Sequence, residues 1–523
     1  MIKVIINILF FALIILTEAQ AACTGSSPTW NSTADSASVQ SCINSASAGD
    51  TINISSGTAT WGGDAVVIPD NKPVNIIGAG KSSTVITLNG GSDTYAMTIG
   101  QYKGKQFGGT YDASRISGIQ FYSTDSASGA IRALGQGWRI DHCKFHSVQD
   151  SAGKLAVLVI NTWSNSKTMQ SYGLIDNNEF ISGKINISNG AALSTVDESW
   201  ADDLDLGGPT AVYIEDNTFS AFGYPSNTTK QLVVDNDAAA KMVVRYNYMD
   251  NNNIQTHGLQ NANSRGSRKA EFYGNIFHNS ASHNYNAIMS ILAGTGVAFY
   301  NSFIGDKIQG YILQFLTKRL TDSVGCLGLC DGTNNYAWDG NEDGGSGYLC
   351  RDQVGAGGDT AIWENHAVVD GECIGTPHAQ NKVPVYIWTN KGAYHGNDVA
   401  NGDTTHIHAN RDYYAEEGNC TAGSTCTTGT GCGSMLPTSC TTGTGFWVTD
   451  QNNCPDLTGF VGDKTNYPER TTISGTLYKC TNVDVENPWE AYYTPYTYPH
   501  PLRGEVATTT GTIYNGAIGT GTY

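Results

Sequence analysis

The sequence predicts an all-β solenoid: a right-handed parallel β-helix with an N-terminal cap and a disulfide-rich, loop-rich C-terminal region. Three observations carry this expectation. The first is a degenerate repeat in which apolar residues alternate, Asn follows, and an aromatic residue or Met stands two residues later. It reads Ile175-Asp176-Asn177-Asn178-Glu179-Phe180, then Ile214-Glu215-Asp216-Asn217-Thr218-Phe219, then Val244-Arg245-Tyr246-Asn247-Tyr248-Met249. It recurs at Phe272–Phe277 and Phe299–Phe303, with an earlier variant at Ile140–Phe145. From Cys143 the copies lie 35, 39, 30, 28 and 26 residues apart. The second is composition: 61 Gly and only 15% charged residues, which favours turn-rich strands over helices. The third is length, since 523 residues supply many units that bury their apolar faces only by stacking. Each unit reads as a strand, a polar corner and a second strand. Asn217, Asn247, Asn275 and Asn301 are then expected to stack at one corner, hydrogen-bonding from coil to coil and tolerating the left-handed backbone of a tight turn.

Along the chain, Met1 to Ala21 has the pattern of a secretory signal: Lys3, an apolar run from Ile5 to Leu16, and the small-x-small site Ala19-Gln20-Ala21. Residues 22–70 are expected to form a cap and first coil, with a short helix over Ser38–Ala48 presenting Val39, Ile43 and Ala46. Such a cap covers the open strand edge of the first coil. Residues 71–320 are expected to form the β-helix. Residues 321–523, rich in Gly, Cys, Tyr and Trp, are expected to pack on it or follow it, with Tyr492–Pro501 extended along its flank. The 13 Cys fall into groups: Cys23 with Cys42, then Cys326, Cys330, Cys350 and Cys373, then Cys420, Cys426, Cys432, Cys440, Cys454 and Cys480. With an export signal these read as disulfides paired within groups, with zinc as the alternative, and Cys143 is left as a buried free thiol.

The net charge of -18 makes the chain a poor partner for nucleic acid or anionic lipid. No later segment is long and apolar enough to span a bilayer. One stretch reverses the sign. From Lys241 to Lys269 there are five Lys or Arg and one acidic residue. Arg245 and Lys269 are candidate binders of a sugar carboxylate, because forked donors and ammonium groups match that group. Arg265 and Arg268 add cations to this stretch, and His257 is a candidate catalytic residue, a conventional base near neutral pH. Acidic clusters offer calcium ligands: Asp202, Asp203 and Asp205 in one loop, Asp235 and Asp237 before the basic stretch, and Asp339, Asn341 and Asp343 in a loop with oxygen ligands at alternate positions before Gly344. Asp202-Asp203 also offers a carboxylate pair for hydrolysis.

Two segments, Trp138-Arg139-Ile140-Asp141-His142-Cys143-Lys144-Phe145 and Arg265–Phe277, resemble the right-handed β-helix superfamily that includes pectate lyases. The resemblance covers roughly residues 50–315, and Ser267 stands where that family has Pro beside its arginines. It implies a lyase that cleaves a uronate-containing polysaccharide by β-elimination, with Arg265 and Arg268 as candidate catalytic residues, an Arg as base and calcium supporting the carboxylate. The expectation is therefore a secreted lyase with an acidic polysaccharide as partner and calcium as cofactor. The alternatives are a non-catalytic glycan-binding or fibre protein, and a β-helix glycoside hydrolase.

Overall fold

The computed structural model describes residues 23–69, 71–91, 94–100, 113–123, 129–147, 155–160, 171–188, 203–220, 232–258, 266–279, 287–304, 311–316, 353–356, 363–369, 372–377, 382–392, 399–402, 404, 407–416, 430–433, 435–449, 473–481 and 486–504. Their strands build three long sheets of thirteen, ten and ten strands. A representative coil runs Tyr172–Asp176 in the first sheet, Glu179–Ile181 in the second and Ile185–Ser188 in the third. Each strand pairs in parallel with its equivalent in the next coil, as Tyr172–Asp176 does with Val212–Glu215. This is a parallel β-helix, as the repeat predicts.

Strand alternation puts one residue in two inside. The first sheet lines the interior with Ile52, Ile76, Ile116, Ile140, Ile175, Ile214, Val244, Phe272, Ala298 and Ile387, each the register partner of the next. The second contributes Phe121, Phe145, Phe180 and Phe219, whose rings stack at 5.5, 4.8 and 4.6 Å, with Met249, Phe277 and Phe303 beyond them. Like side chains recur at the strand spacing, so rings meet offset and nearly parallel.

The Asn corner is continuous. The backbone N–H of Cys143 donates to Asn178 Oδ1 at 2.8 Å. The same bond then runs from Asn178 to Asn217, Asn217 to Asn247, Asn247 to Asn275, Asn275 to Asn301, and Asn301 to Asn390. Each amide also donates to a carbonyl of the preceding coil, as Asn247 Nδ2 does to Ile214 O at 2.8 Å. The four expected residues stack as predicted, and Asn178 and Asn390 extend the ladder. The left-handed residue, however, is the one before the rung: His142, Asn177, Asp216, Tyr246, Gly274, Tyr300 and Thr389, with φ between 47° and 64°. The Asn serves through its side chain, and its neighbour makes the bend.

At the N-terminal end the helix spans Ser36–Ser45 rather than Ser38–Ala48, starting where Asp35 accepts from Ser38 N at 2.8 Å. It buries Val39, Cys42 and Ile43 and is tied down by the Cys23–Cys42 disulfide. The amide of Gln40 pairs with the strand edge as a further strand would: Val67 N donates to its Oε1 at 2.7 Å, and its Nε2 donates to Val67 O at 3.2 Å. An open edge is thereby closed.

Coils continue past residue 320. Val385–Trp388, Lys391–Gly392 and Val399–Asn401 add to the first, second and third sheets, and Tyr413–Ala415 closes the first. A separate four-stranded sheet of Thr430–Gly433, Gly445–Val448, Thr476–Cys480 and Trp489–Tyr493 carries the Cys440–Cys480 disulfide. Both described disulfides pair within the expected groups, and Cys143 is a buried free thiol. From Tyr493 the chain crosses the outer face of the first sheet and makes a short 3-10 turn at Pro501–Arg503.

Candidate functional site

The outer faces of the first and third sheets carry the chemistry-bearing side chains, and they meet different fates. On the first sheet, Arg245 is fully buried. Its guanidinium bonds Glu215 Oε2 at 2.8 Å, Tyr273 Oη at 2.9 Å, and the tail carbonyls of Tyr496 and Thr497 at 2.7 and 2.9 Å. Around it lies a chain of alternating charge. Arg115 forks onto Asp141, Arg139 forks onto Asp176, and Arg503 of the tail reaches Asp216 at 2.6 Å and Glu215 at 3.4 Å. Burial alone would raise the Asp141 carboxyl, but Arg115, His142 and Arg139 hold it well below the carboxylate range. His500, buried among Arg245, Arg139 and Arg503, is pushed down to about 3 and accepts from Leu502 N while neutral.

Lys269 is equally covered. It pairs with Glu271 at 3.1 Å and donates to Asp205 O, while Lys241 donates to Asp203 O at 2.9 Å. Asp203 and Asp205 thus meet lysines through their carbonyls, and the Asp205 carboxylate accepts from Thr210 N in its own turn. This arrangement gives Arg245 and Lys269 protein partners where a sugar carboxylate was expected, and it holds Asp203 and Asp205 beside the lysines through their carbonyl oxygens. The reason is geometric: sequence density of charge does not reveal that these side chains point from the sheet the tail covers. Trp138 and Ile140 of the Trp138–Phe145 motif are core, and Arg139 and Asp141 belong to the same covered network.

The third sheet gathers a different set. Asp235 and Asp237 project outward from Leu232–Asp237, and His257 follows Asn253–Thr256 in the next coil. Asp235 Oδ2 lies 3.3 Å from Lys184 Nζ and 3.4 Å from His257 Nε2. Gln255 Nε2 lies 3.4 Å from Asp235 Oδ1 and 2.7 Å from His257 Nε2. Burial raises the Asp237 carboxyl; Ser188 opposes this by hydrogen bonding, and the Asp235 charge adds to it. Asp237 Oδ1 and Asn186 Oδ1, on the same face, are buried without a hydrogen-bond partner. Lys184 and His257 stay partly open, at 15% and 17% side-chain exposure. Arg132 stands on this face three coils before Asp235, 3.6 Å from Asp64 and over the ring of Tyr95.

Three of the expected residues, Asp235, Asp237 and His257, are therefore brought together. Lys184 and Gln255 were missed. Lys184 precedes a sequence-remote strand, and Gln255 reads as an ordinary strand residue until register makes it the neighbour of Asp235. Arg268 is buried in the turn before Lys269–Tyr273, its N–H donating to Ala240 O at 3.0 Å. Arg265, Asp202, Asp339, Asn341 and Asp343 lie outside the described residues. Among the described residues no three His, Cys, Asp or Glu side chains converge to hold a metal ion. Asp235 already faces a lysine and an amide donor, so no catalytic step is routed through calcium.

Among the described residues no helix is long and apolar enough to cross a membrane. The two disulfides suit an oxidising compartment. No protein-family model matches the chain, and no curated protein matches it. Among solved structures, an alginate lyase from Paenibacillus sp. str. FPU-7 is similar with a TM-score of 0.33 and 15% identity, covering 56% of this chain and 98% of that one. ORF18 of Geobacillus virus E2 is similar with a TM-score of 0.27 and 14% identity, covering 54% of this chain and 55% of that one. The strand pairing of the chain itself defines it as a parallel β-helix.

Proposed function

We propose that the protein is an exported carbohydrate-active enzyme that binds an acidic polysaccharide on the outer face of the third sheet and cleaves it by β-elimination. The observation that carries the reading is the convergence of Lys184, Asp235, Asp237, Gln255 and His257 on adjacent strands, beside acceptor oxygens that lack donors. Unpaired buried acceptors suit a ligand rich in hydroxyl donors. Lys184 faces the uronate carboxylate and offsets its charge as it becomes enolate-like. His257 takes the proton from the carbon next to that carboxylate. The C–H pair becomes the new C=C bond, the glycosidic C–O bond breaks, and the departing oxygen gains a proton equivalent to the one His257 received.

A second reading is favoured by the raised Asp237 carboxyl. Asp235 and Asp237 stand two residues apart on one strand, about 7 Å between Cα atoms at strand rise. Two carboxyls on one face of a strand offer the acid–base pair that hydrolysis needs. One experiment separates the two. The protein is incubated with a panel of acidic polysaccharides, with and without added calcium, while ultraviolet absorbance and new reducing ends are followed. Elimination yields both signals, and hydrolysis yields reducing ends alone. His257→Ala should abolish the absorbance, and Asp237→Asn should lower either activity. Binding without new ends in any condition would replace both readings with that of a non-catalytic glycan-binding rod.

A further inference from the structure

We infer that Gln255 is a positioning residue that selects the tautomer of His257, and through it the nitrogen that acts as base. The inference rests on the catalytic reading above only for its kinetic half. An amide nitrogen donates and cannot accept. With Gln255 Nε2 at 2.7 Å from His257 Nε2, that ring nitrogen presents its lone pair, and the ring proton sits on Nδ1. The amide orientation is itself fixed by Asp235. Gln255 Nε2 faces Asp235 Oδ1 at 3.4 Å, and a reversed amide would set one acceptor oxygen against another. Strand register supplies the pairing, since Gln255 is the Cα partner of Asp235.

The bridge also sets the partner of the ring after proton uptake. A protonated Nε2 loses Gln255 as a partner and turns to Asp235 Oδ2, 3.4 Å away. Gln255 therefore holds the neutral ring and Asp235 holds the charged one. The charged or titratable groups facing this ring among the described residues are Lys184, Asp235 and Asp237; on the next strand, the partner of Gln255 is the uncharged Ser290. A substrate carboxylate that draws the Gln255 N–H away uncovers the Nε2 lone pair as it binds, so base activation is tied to the presence of that carboxylate.

The test uses the full chain with nitrogen-labelled histidine. Ring resonances are followed across pH in the wild-type protein, Gln255→Glu and Gln255→Leu. The wild-type His257 should carry its proton on Nδ1. Gln255→Glu, whose carboxylate accepts from the ring, should move the proton to Nε2 and raise the titration by about one pH unit. Gln255→Leu should remove the tautomer preference, and it keeps the test open if the Glu variant does not fold. The acid limb of the kcat/KM profile should rise with the titration in Gln255→Glu, and KM should rise as the substrate carboxylate loses the amide donor. A wild-type ring protonated on Nε2, or a tautomer unmoved in both variants, overturns the inference. A tautomer that switches while the acid limb stays put sustains the bridge and overturns His257 as the base.

Discussion

Asn247→Ala probes the fold at its most repetitive contact. Asn247 Oδ1 accepts from Asn217 N at 3.0 Å and from Asn217 Nδ2 at 3.1 Å. Its Nδ2 donates to Ile214 O at 2.8 Å, Arg245 O at 2.9 Å and Asn275 Oδ1 at 3.0 Å. Some of these groups keep other partners: Asn217 Nδ2 still reaches Ile175 O, and Asn275 Oδ1 still accepts from the backbone N–H of residue 247. Asn217 N loses the contact outright, whereas Ile214 sits inside a strand paired on both sides. At roughly 1–3 kcal/mol for a buried group left unpaired, the substitution should cost about 1–3 kcal/mol. The chemistry also sets an order. Asn247→Asp places an acceptor against Ile214 O, Arg245 O and Asn275 Oδ1, so it should cost more than Ala although it keeps the size. The assay is equilibrium unfolding in denaturant followed by tryptophan fluorescence, read as a shift in midpoint at constant slope. A loss below about 0.5 kcal/mol for Ala, the range of an ordinary surface change, would refute the argument. So would an Asp variant more stable than Ala.

The tail-covered face and the C-terminal sheet give three more expected outcomes. Arg245→Met leaves Glu215 buried without its main cation and should cost about 3–5 kcal/mol; a Tm within a degree of wild type would show that the tail contacts carry no net stability. His500 sits well below its ordinary value of 6.5, so the unfolded chain binds a proton that the folded chain does not as pH falls from 6.5 towards 3. Stability should drop over that window by up to about 1.4 kcal/mol per pH unit, and His500→Asn should flatten that part of the profile in pH-dependent unfolding. Reduction of Cys440–Cys480 should loosen the four-stranded sheet and the tail before the coils, which rest on their own stacked core. Limited proteolysis under reducing conditions should then release C-terminal fragments first, and even cleavage along the chain would count against it.

Legibility differed between core and site for a physical reason. An inward-facing position such as Phe180 or Val244 is specified by period and polarity, which survive in a linear string. The rung Asn are legible for the same reason, since they recur at one place in each unit. Asn390 escaped notice because 89 residues separate it from Asn301, its neighbour in the ladder. An outward position carries no such label. Arg245 and His257 are twelve residues apart in the chain, yet one faces the tail and the other faces outward from a different sheet of the solenoid.

The sequence by itself determined the solenoid, the Asn ladder, the stacked apolar interior, the cysteine grouping and the candidacy of Asp235, Asp237 and His257. These are local, periodic or compositional properties. Only the tertiary structure decided that the basic stretch divides between two faces, and that the C-terminal tail neutralises one of them through Arg503, Tyr498 and the carbonyls of Tyr496 and Thr497. It alone set Lys184 and Gln255 beside Asp235 and His257. Which charges meet across a β-helix depends on coil register and on what covers each face, and both are fixed by packing between segments that lie tens to hundreds of residues apart.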